Sequence, residues 1–497
     1  MDKTWRSKKL NCLFCALCTI APVIVLGIMS LLAGKNLFLS VPVWSDELDY
    51  WREMYSFSDW GFNFGGSLFA GYEAKIGPFG GHSISPVVVW GLFGRLFQWK
   101  WFSIFAFNLG FICLSLLLFC LIVKPSGKEW LLAFAIAFLF PPLNIYLFTS
   151  MIEVPLYGGM IIYGALFARY RRTNNKKLLV LLMITGIWCT LVRMTYIVIL
   201  FPLIMAAGNF KFNKKTIRNL LLYVILFAVA YKVYNLFCAG YPDWVTARIS
   251  AAEGIKGKLA VVLYNIKDNF FRFFSFRHDG IAQIALRYVY GFVTLFVGIR
   301  AFFTKDENKK PSFDFDGEYF SFFAMAGGLI VIMVVLYDIA VWRDYRTFGP
   351  VLIFMIIYLC FSKEECHSVS WKRIVAMSAV LCLTICTNPL VLAEDRQIFG
   401  NVNGNISLEG FFDEVGPNAS VASTLDINWG DIRLMEQIPS QLGFKVYYND
   451  EITIDNVFCA DYLLTNRDYL AVHPEIADYY EPLGEVQGYG YLYKVKR

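Results

Sequence analysis

CLFCALCTIAPVIVLGIMSLLA, residues 12–33, is a run of 22 residues without a charged side chain. A helix needs about 20 apolar residues to cross a bilayer. The run is too long for the apolar region of a signal peptide, and it ends without a convincing small-residue cleavage site. The sequence therefore predicts an uncleaved first membrane span at this position.

Composition extends this prediction to the rest of the chain. Of the 497 residues, 57% are hydrophobic and 17% are charged, and the mean hydropathy is +0.51. Soluble domains carry about 25% charged residues. The balance excludes a soluble multidomain enzyme, a disordered chain and a disulfide scaffold, and it indicates a polytopic α-helical membrane protein. Ten of the 12 cysteines lie in apolar runs or short basic loops, which fits that class.

Ten further apolar runs bring the prediction to about 11 transmembrane helices. They lie near residues 100–123, 130–149, 154–170, 178–192, 194–208, 218–238, 283–303, 318–337, 346–362 and 371–391. Several are shorter than the about 20 residues of a straight crossing. The two runs that flank Arg193 are compatible with two short helices or with one long kinked helix.

The distribution of basic residues predicts the orientation. If the N-terminus is cytoplasmic, the inner segments hold 22 Lys and Arg, whereas the short outer turns hold only Arg193, Arg343 and Arg346. Cytoplasmic loops carry such an excess of basic residues. We therefore expect a multi-pass protein of the inner (cytoplasmic) membrane with a cytoplasmic N-terminus. The net charge of +6 is modest and suggests no nucleic-acid partner.

Three segments are predicted to project outward from a transmembrane domain of residues 1–391. They are a first loop at 34–99, a second large loop at 239–282, and a tail at 392–497 with the composition of a soluble domain. In the tail, strands are predicted at Ser420–Thr424, Phe444–Tyr448, Tyr462–Thr465 and Tyr489–Val495, and helices at Asp431–Leu442 and Arg467–Tyr480. The tail is thus expected to form a small extracytoplasmic α/β domain.

Ionisable side chains gather at the outer ends of the predicted spans. The stretch VWSDELDYW, residues 43–51, places Asp46, Glu47 and Asp49 directly after the first span. Further along the chain, the outer ends of other predicted spans carry Glu153, Arg193, Asp338, Arg343, Asp344 and Arg346. Placing an ionisable group at mid-bilayer costs about 2.5–3.5 kcal/mol, so charged residues next to membrane spans are candidates for a functional role. They predict an outward-facing site at the membrane surface.

These side chains suit one kind of chemistry. A carboxylate against apolar, Trp-lined walls can act as a general base toward a hydroxyl, and arginines can hold a phosphate bidentately. A hydroxyl nucleophile, a base and a phosphate leaving group describe glycosyl transfer from a lipid-phosphate sugar. Phosphate leaves without protonation, so no general acid is required, and a single base predicts inversion at the anomeric carbon. Since nucleotide sugars are cytosolic, an outward-facing enzyme needs a membrane-borne donor.

The second large loop is basic and rich in phenylalanine, so we expect it to lie on anionic lipid near that donor. Its charged and aromatic residues are Arg248, Lys256, Lys258, Lys267, Arg272, Arg277, Phe270, Phe271, Phe273 and Phe274.

The pattern resembles the GT-C membrane glycosyltransferases, and specifically a bacterial relative of the protein mannosyltransferases and the lipid A aminoarabinose transferase. The resemblance runs from Cys12 to the C-terminus and is architectural more than letter-by-letter. It is carried by Asp46-Glu47, Glu153–Pro155, Arg193, Trp342–Arg346, Ala460–Leu464 and Tyr480–Gly484. The Gly-rich stretch Gly61–Gly81 departs from it and leaves the shape of the acceptor pocket open.

By this resemblance the donor is a polyprenyl-phosphate sugar and the acceptor is a hydroxyl of a glycan, lipid or protein, as in polysaccharide biosynthesis of the cell envelope. The resemblance implies Asp46 as the base, Glu47 as a neighbour that contacts acceptor or metal, and the arginines as contacts of the donor phosphate. The phosphate contacts would be Arg193, Arg343 and Arg346.

Several alternatives remain open at this stage. Arg193 can equally pair with Glu153, and Arg343 or Arg346 can pair with Asp338 or Asp344. Asp49 is expected at the surface, and His82 is a weaker candidate for contacting a ligand. Asp46 and Glu47 are the candidate ligands if a divalent cation such as Mg²⁺ or Mn²⁺ is bound. Competing functions are a polysaccharide polymerase or ligase, and a transporter or flippase, which would place polar groups near mid-membrane.

Overall fold

The structure is a computed structural model. It describes residues 3–63, 67–69, 79, 84–238, 245–274, 281–305, 311–313, 315–337, 343–362, 389–399, 415–416, 419–424, 432–446, 452–486 and 490–497. His82, Asp338, most of the Gly-rich stretch and most of the predicted span at 371–391 lie outside the described residues.

The chain is mainly helical. Its helices are α1 (Lys3–Leu32), α2 (Ser45–Trp60), α3 (Ser85–Phe97), α4 (Ser103–Val123), α5 (Glu129–Phe138), α6 (Pro141–Asn144), α7 (Glu153–Thr173), α8 (Lys177–Val192), α9 (Leu200–Ala207), α10 (Lys214–Phe237), α11 (Val245–Ala251), α12 (Gly254–Phe274), α13 (Ile281–Phe302), α14 (Gly317–Leu336), α15 (Arg343–Phe361), α16 (Pro389–Glu394), α17 (Ile432–Gln437), α18 (Tyr469–Val472) and α19 (Pro474–Ala477). Three 3-10 helices lie at Leu37–Leu39, Gly61–Asn63 and Met194–Ile199.

Five of these helices, α1, α4, α10, α13 and α14, are long and apolar enough to cross a membrane within the described residues. Shorter apolar helices lie at Ser85–Phe97, Glu129–Asn144, Lys177–Val192, Met194–Ala207 and Arg346–Phe361. The protein is therefore a multi-pass helical membrane protein, although the predicted number of 11 spans is not confirmed. The pair of runs around Arg193 forms two helical segments, because Arg193 itself is extended, with φ −152° and ψ 122°.

Helix α7 is the centre of the bundle and is buried along nearly its whole length. It packs against α4, α8 and α15. Glycines allow the close approach to α15: a Cβ on Gly164 would lie 3.1 Å from Ile357, and one on Gly349 would lie 1.9 Å from the Tyr157 hydroxyl. This packing brings the first turns of α7 and α15 together, and those turns carry Glu153 and Arg346.

The C-terminal region holds most of a six-stranded mixed sheet. Its strands are β1 (Ser67–Phe69), β4 (Ser420–Ser423), β5 (Gly443–Val446), β6 (Tyr462–Thr465), β7 (Tyr480–Val486) and β8 (Gly490–Val495), in the order β1-β5-β4-β6-β8-β7. A separate hairpin joins β2 (Phe303–Lys305) to β3 (Pro311–Phe313). The first loop thus contributes β1, which pairs in parallel with β5 at the edge of the sheet.

The four predicted strands of the tail are present with bounds that shift by two residues or fewer. The predicted helix at 467–480 is wrong as a single element. Pro474 begins a second short helix, and Tyr480 already starts strand β7. The residue before a proline is disfavoured in the helical conformation, which explains the interruption at His473.

Candidate active site

Helix α2 presents Asp46 and Glu47 in its first turn. The turn is held by Glu47, whose Oε2 accepts hydrogen bonds from the backbone N–H groups of Val43 at 2.9 Å and Trp44 at 3.0 Å. A glutamate at the third helical position commonly reaches back in this way to unpaired N–H groups at a helix start. This interaction fixes the first turn of α2, which also carries Asp46.

Asp46, Arg346 and Glu153 form a continuous ionic chain. Nη1 of Arg346 lies 2.6 Å from Oδ2 of Asp46, and its Nε lies 2.6 Å from Oε1 of Glu153. The side chains of Asp46, Arg346 and Glu153 are 19%, 11% and 1% exposed. Three segments that are far apart in sequence therefore meet in one place.

Arg193 completes the cluster from the break between α8 and the next 3-10 helix. Its Nη2 lies 3.7 Å from Oε1 of Glu153, and its side chain is 13% exposed. Among the described residues, this is the only ion pair of the guanidinium, and it forms no hydrogen bond with them. Arg193 thus retains hydrogen-bond donors, whereas Arg346 uses its own on Asp46, Glu153 and Tyr50.

The hydroxyl of Tyr196 links the Arg193 segment to α15. It donates to the backbone carbonyls of Arg346 at 2.6 Å and Thr347 at 2.9 Å. This contact fixes the position of Arg346 relative to Arg193.

Tyr50 lines the cluster one turn beyond Asp46 on α2. Its oxygen lies 3.4 Å from Nη2 of Arg346. Burial raises the pKa of Tyr50 well above its ordinary value of 10, and the charge of Asp46 adds to the effect. The phenol is therefore neutral at physiological pH and serves as a hydrogen-bonding group rather than a base.

Glu47 is fully occupied by protein partners. Besides Val43 and Trp44, it accepts hydrogen bonds from the Ser150 N–H at 2.7 Å and from Arg396 at 2.5 and 2.8 Å. Five donors on one buried carboxylate leave no lone pair for a substrate or a metal. The expected contact of Glu47 with acceptor or metal is therefore not compatible with this arrangement, in which Glu47 positions neighbouring segments.

The described residues do not fit a divalent cation at Asp46 and Glu47. Both carboxylates are already paired with arginines, at Arg346 and Arg396 respectively. No group of three or more His, Cys, Asp or Glu side chains within the described part of the chain is arranged to hold a metal.

Other predicted residues are placed as follows. Asp49, expected at the surface, is buried, because it follows Asp46 by three residues and shares its helical face. Arg343 and Asp344 begin α15, but their side chains are not among the described ones, and His82 lies outside the described residues altogether. Arg396 and Arg52 were not predicted at all.

Similarity to known proteins is found among solved structures. No protein-family model and no curated protein matches the chain. Among solved structures, the oligosaccharyltransferase of Archaeoglobus fulgidus in its apo form has 11% identity, covers 95% of this chain and 74% of its own, and superposes with a TM-score of 0.46. The same enzyme tethered to an acceptor peptide that contains the NVT sequon gives 12% identity, 96% and 74% coverage, and a TM-score of 0.44.

At 11–12% identity and TM-scores below 0.5, these matches assign neither an activity nor a substrate to this chain. The chemistry of the site has to be judged from its own side chains: two carboxylates and two arginines of formally zero net charge, with uncommitted donors on Arg193.

Proposed function

We propose that this protein is a membrane glycosyltransferase that moves a sugar from a polyprenyl-phosphate donor to a hydroxyl acceptor at the outer face of the membrane. The observation that carries the proposal is the convergence of Asp46, Glu153, Arg193 and Arg346, from four separate parts of the chain, at the ends of helices. A base beside arginines that can hold a phosphate is what such a transfer requires.

In this proposal Arg193 is the main contact of the donor phosphate. Its guanidinium has hydrogen-bond donors that no described residue uses, and a guanidinium matches the geometry of two phosphate oxygens. Arg346 is committed to Asp46 and Glu153, so its principal role is to orient both carboxylates and to add positive charge near the leaving phosphate.

Asp46 is the proposed general base. The acceptor oxygen attacks the anomeric carbon while Asp46 takes the proton of the hydroxyl. The bond between the anomeric carbon and the phosphate oxygen breaks, and its electron pair leaves with the polyprenyl phosphate, which Arg193 and Arg346 stabilise. One displacement inverts the anomeric configuration.

Helix α12 supports a location at the bilayer surface. The side-chain amides of Asn265 and Asn269 both donate to backbone carbonyls of Val334 and Tyr337, at the end of the apolar helix α14. Elsewhere α12 exposes large apolar side chains and lysines, which include Ile255, Leu259, Leu263, Phe270, Lys256 and Lys267. An amphipathic helix at the end of a span suits anionic lipid headgroups, where a lipid-linked donor is found.

The decisive experiment compares wild type with Asp46→Asn in nanodiscs, with a panel of synthetic undecaprenyl-phosphate sugars as donors. The released undecaprenyl phosphate and the anomeric configuration of the product are measured. We expect release and inversion by wild type, and loss of release by Asp46→Asn with normal membrane insertion. Asp455→Asn, an exposed carboxylate of the C-terminal region, is the matched control. Wild-type rates in Asp46→Asn would refute the assignment of the base.

A further inference from the structure

The chain that follows the predicted last span returns to the first loop. The N–H of Val41 donates to the carbonyl of Gln397 at 3.3 Å, and Ser40 forms an isolated antiparallel bridge with Ile398. The rings of Trp101 and Phe399 stack with centroids 4.4 Å apart and planes at 4°. These contacts dock the segment around residues 396–399 against the start of the base-bearing region.

Arg396 is the charged centre of this docking. Its guanidinium binds both oxygens of Glu47, at 2.5 and 2.8 Å, and both side chains are almost completely buried. The guanidinium also lies over the rings of Trp44 and Phe148, at 5.5 and 5.9 Å from their centroids. Glu47 follows Asp46 directly, so Arg396 fixes the N-terminal turn of α2 from the C-terminal side of the molecule.

A second arginine holds the middle of α2. The buried guanidinium of Arg52 donates to the backbone carbonyls of Ile438, Pro439 and Leu442, which lie in one turn of the C-terminal region. It forms no ion pair with any described residue, and burial lowers the pKa of Arg52 to about 10. The guanidinium also lies over the ring of Tyr55, at 5.9 Å from its centroid, but a buried charge without an ion pair is costly to place. Its presence indicates that the position of this turn relative to α2 matters.

The end of α2 is attached to the same turn. The hydroxyl of Ser440 donates to Oδ2 of Asp59 at 2.6 Å and accepts from Nε1 of Trp60 at 2.9 Å. Strand β5 follows this turn and pairs with β1 of the first loop. Both ends of α2 are therefore fastened to residues 396–446.

We propose that the C-terminal region is a clamp that positions Asp46 for the reaction, with Arg396 and Arg52 as the positioning residues. The clamp rests on the proposed function, because it is defined by the base that it holds. A 16-residue helix fixed at its first turn and along its length cannot rotate or slide. A displacement of a reacting group by about 1 Å costs about 100-fold in rate, so loss of either fastening reduces turnover. The donor phosphate is bound by Arg193 on another segment and is not affected.

The test uses the full-length protein in nanodiscs and the variants Arg396→Met, Arg396→Lys, Arg52→Met and Arg52→Lys. Turnover and KM are measured from release of undecaprenyl phosphate from its sugar donor, and the Kd is measured for undecaprenyl phosphate alone. We expect turnover to fall about 100-fold in the Met variants, with partial recovery in the Lys variants, which retain the positive charge and one donor nitrogen. The donor KM and the Kd should change by less than about twofold, since Arg193 is unchanged.

Arg497→Met is the matched control, because Arg497 forms an ion pair with Asp461 in the same region at 2.6 Å but is 64% exposed. A purely structural role would lower the folded fraction and leave turnover per folded molecule unchanged; that result overturns the clamp. Equal losses of turnover and undecaprenyl phosphate binding also overturn it. If a Met variant does not fold, the turnover of the corresponding Lys variant alone tests the clamp. An inactive wild type would refute the proposed function, whereas active wild type with active variants refutes only the clamp.

Discussion

Replacing Arg193 with methionine isolates the proposed phosphate contact. The substitution removes a guanidinium whose only ion pair with described residues is the 3.7 Å contact with Glu153. Glu153 keeps its 2.6 Å contact with Arg346, so its buried charge is still compensated. The methionine side chain has about the length of the aliphatic part of the arginine that it replaces. We therefore expect Arg193→Met to fold and to insert into the membrane normally.

The expected effect on ligand binding follows from the lost hydrogen bonds. A hydrogen bond to a charged group contributes about 1.5–3 kcal/mol, and 1.4 kcal/mol corresponds to about tenfold in affinity. Loss of one net charge-assisted contact predicts a Kd for undecaprenyl phosphate that is about 10- to 150-fold higher. Arg193→Lys keeps the positive charge but loses the planar guanidinium that can bind two phosphate oxygens, so an intermediate Kd is expected.

Binding is measured in nanodiscs by competition with a fluorescent short-chain polyprenyl phosphate. Arg171→Met is the matched control, because Arg171 is a more exposed arginine that pairs with Glu318 on the inner side of the predicted topology. An unchanged Kd in Arg193→Met, with weakened binding in Arg171→Met, would show that the phosphate lies elsewhere and would remove the basis for the proposed donor site.

Three further predictions concern the surroundings of the cluster. Gly349→Ala would place a Cβ 1.9 Å from the Tyr157 hydroxyl, and such overpacking costs about 1–3 kcal/mol, so the thermal midpoint should fall. Gly110→Ala, which meets no atom within 4 Å, should leave it unchanged. Asn269→Leu removes the donor to the carbonyls at the end of α14 and should lower the thermal midpoint more than Phe270→Leu, an exposed change on the same helix. Tyr50→Phe should leave the alkaline limb of the pH–rate profile unchanged up to pH 10, because burial already keeps this phenol protonated.

Each of these has a clear contrary result. Equal midpoints for the two glycine variants would mean that α7 and α15 can separate at no cost. No difference between the two α12 variants would mean that the amide contacts to α14 contribute nothing to stability. An alkaline limb that disappears in Tyr50→Phe would identify the phenol as the titrating group.

Local patterns predicted much of the fold. Runs of apolar residues give the membrane helices, because a helix in lipid must be apolar over a length set by the bilayer. Alternation and turn residues gave strand β6 with its bounds unchanged, Tyr462–Thr465. The sequence pattern missed β7, since Tyr480–Val486 is an exposed strand with little apolar alternation. It also could not show that β1 joins the C-terminal sheet, because pairing across more than 300 residues leaves no local periodicity.

Charged side chains are conspicuous in a sequence where they are costly to place, and inconspicuous elsewhere. Asp46, Arg193 and Arg346 stand out as charges next to apolar runs. Arg396 and Arg52 do not, because each lies in a polar stretch where a charge needs no explanation. The only available signal for Arg396 was its position directly after the last predicted span, in the sequence AEDR. The role of Glu47 was misjudged because backbone N–H groups, which occupy its carboxylate, are invisible in a sequence.

The break at Arg193 has a consequence for the lipid around it. At about 1.5 Å per residue, the 16 residues of α8 reach about 24 Å, short of the about 30 Å of a hydrocarbon core. The 3-10 helix and α9 that follow are about equally short. With Lys176 and Lys177 at the inner surface, as the charge pattern predicts, Arg193 lies about 6 Å beneath the outer limit of the acyl chains. Bilayers adjust to short spans by thinning, so the outer leaflet should form a dimple there. Headgroups in that dimple descend to the depth of the guanidinium, and an isoprenoid carrier could present its phosphate without being lifted out of its leaflet.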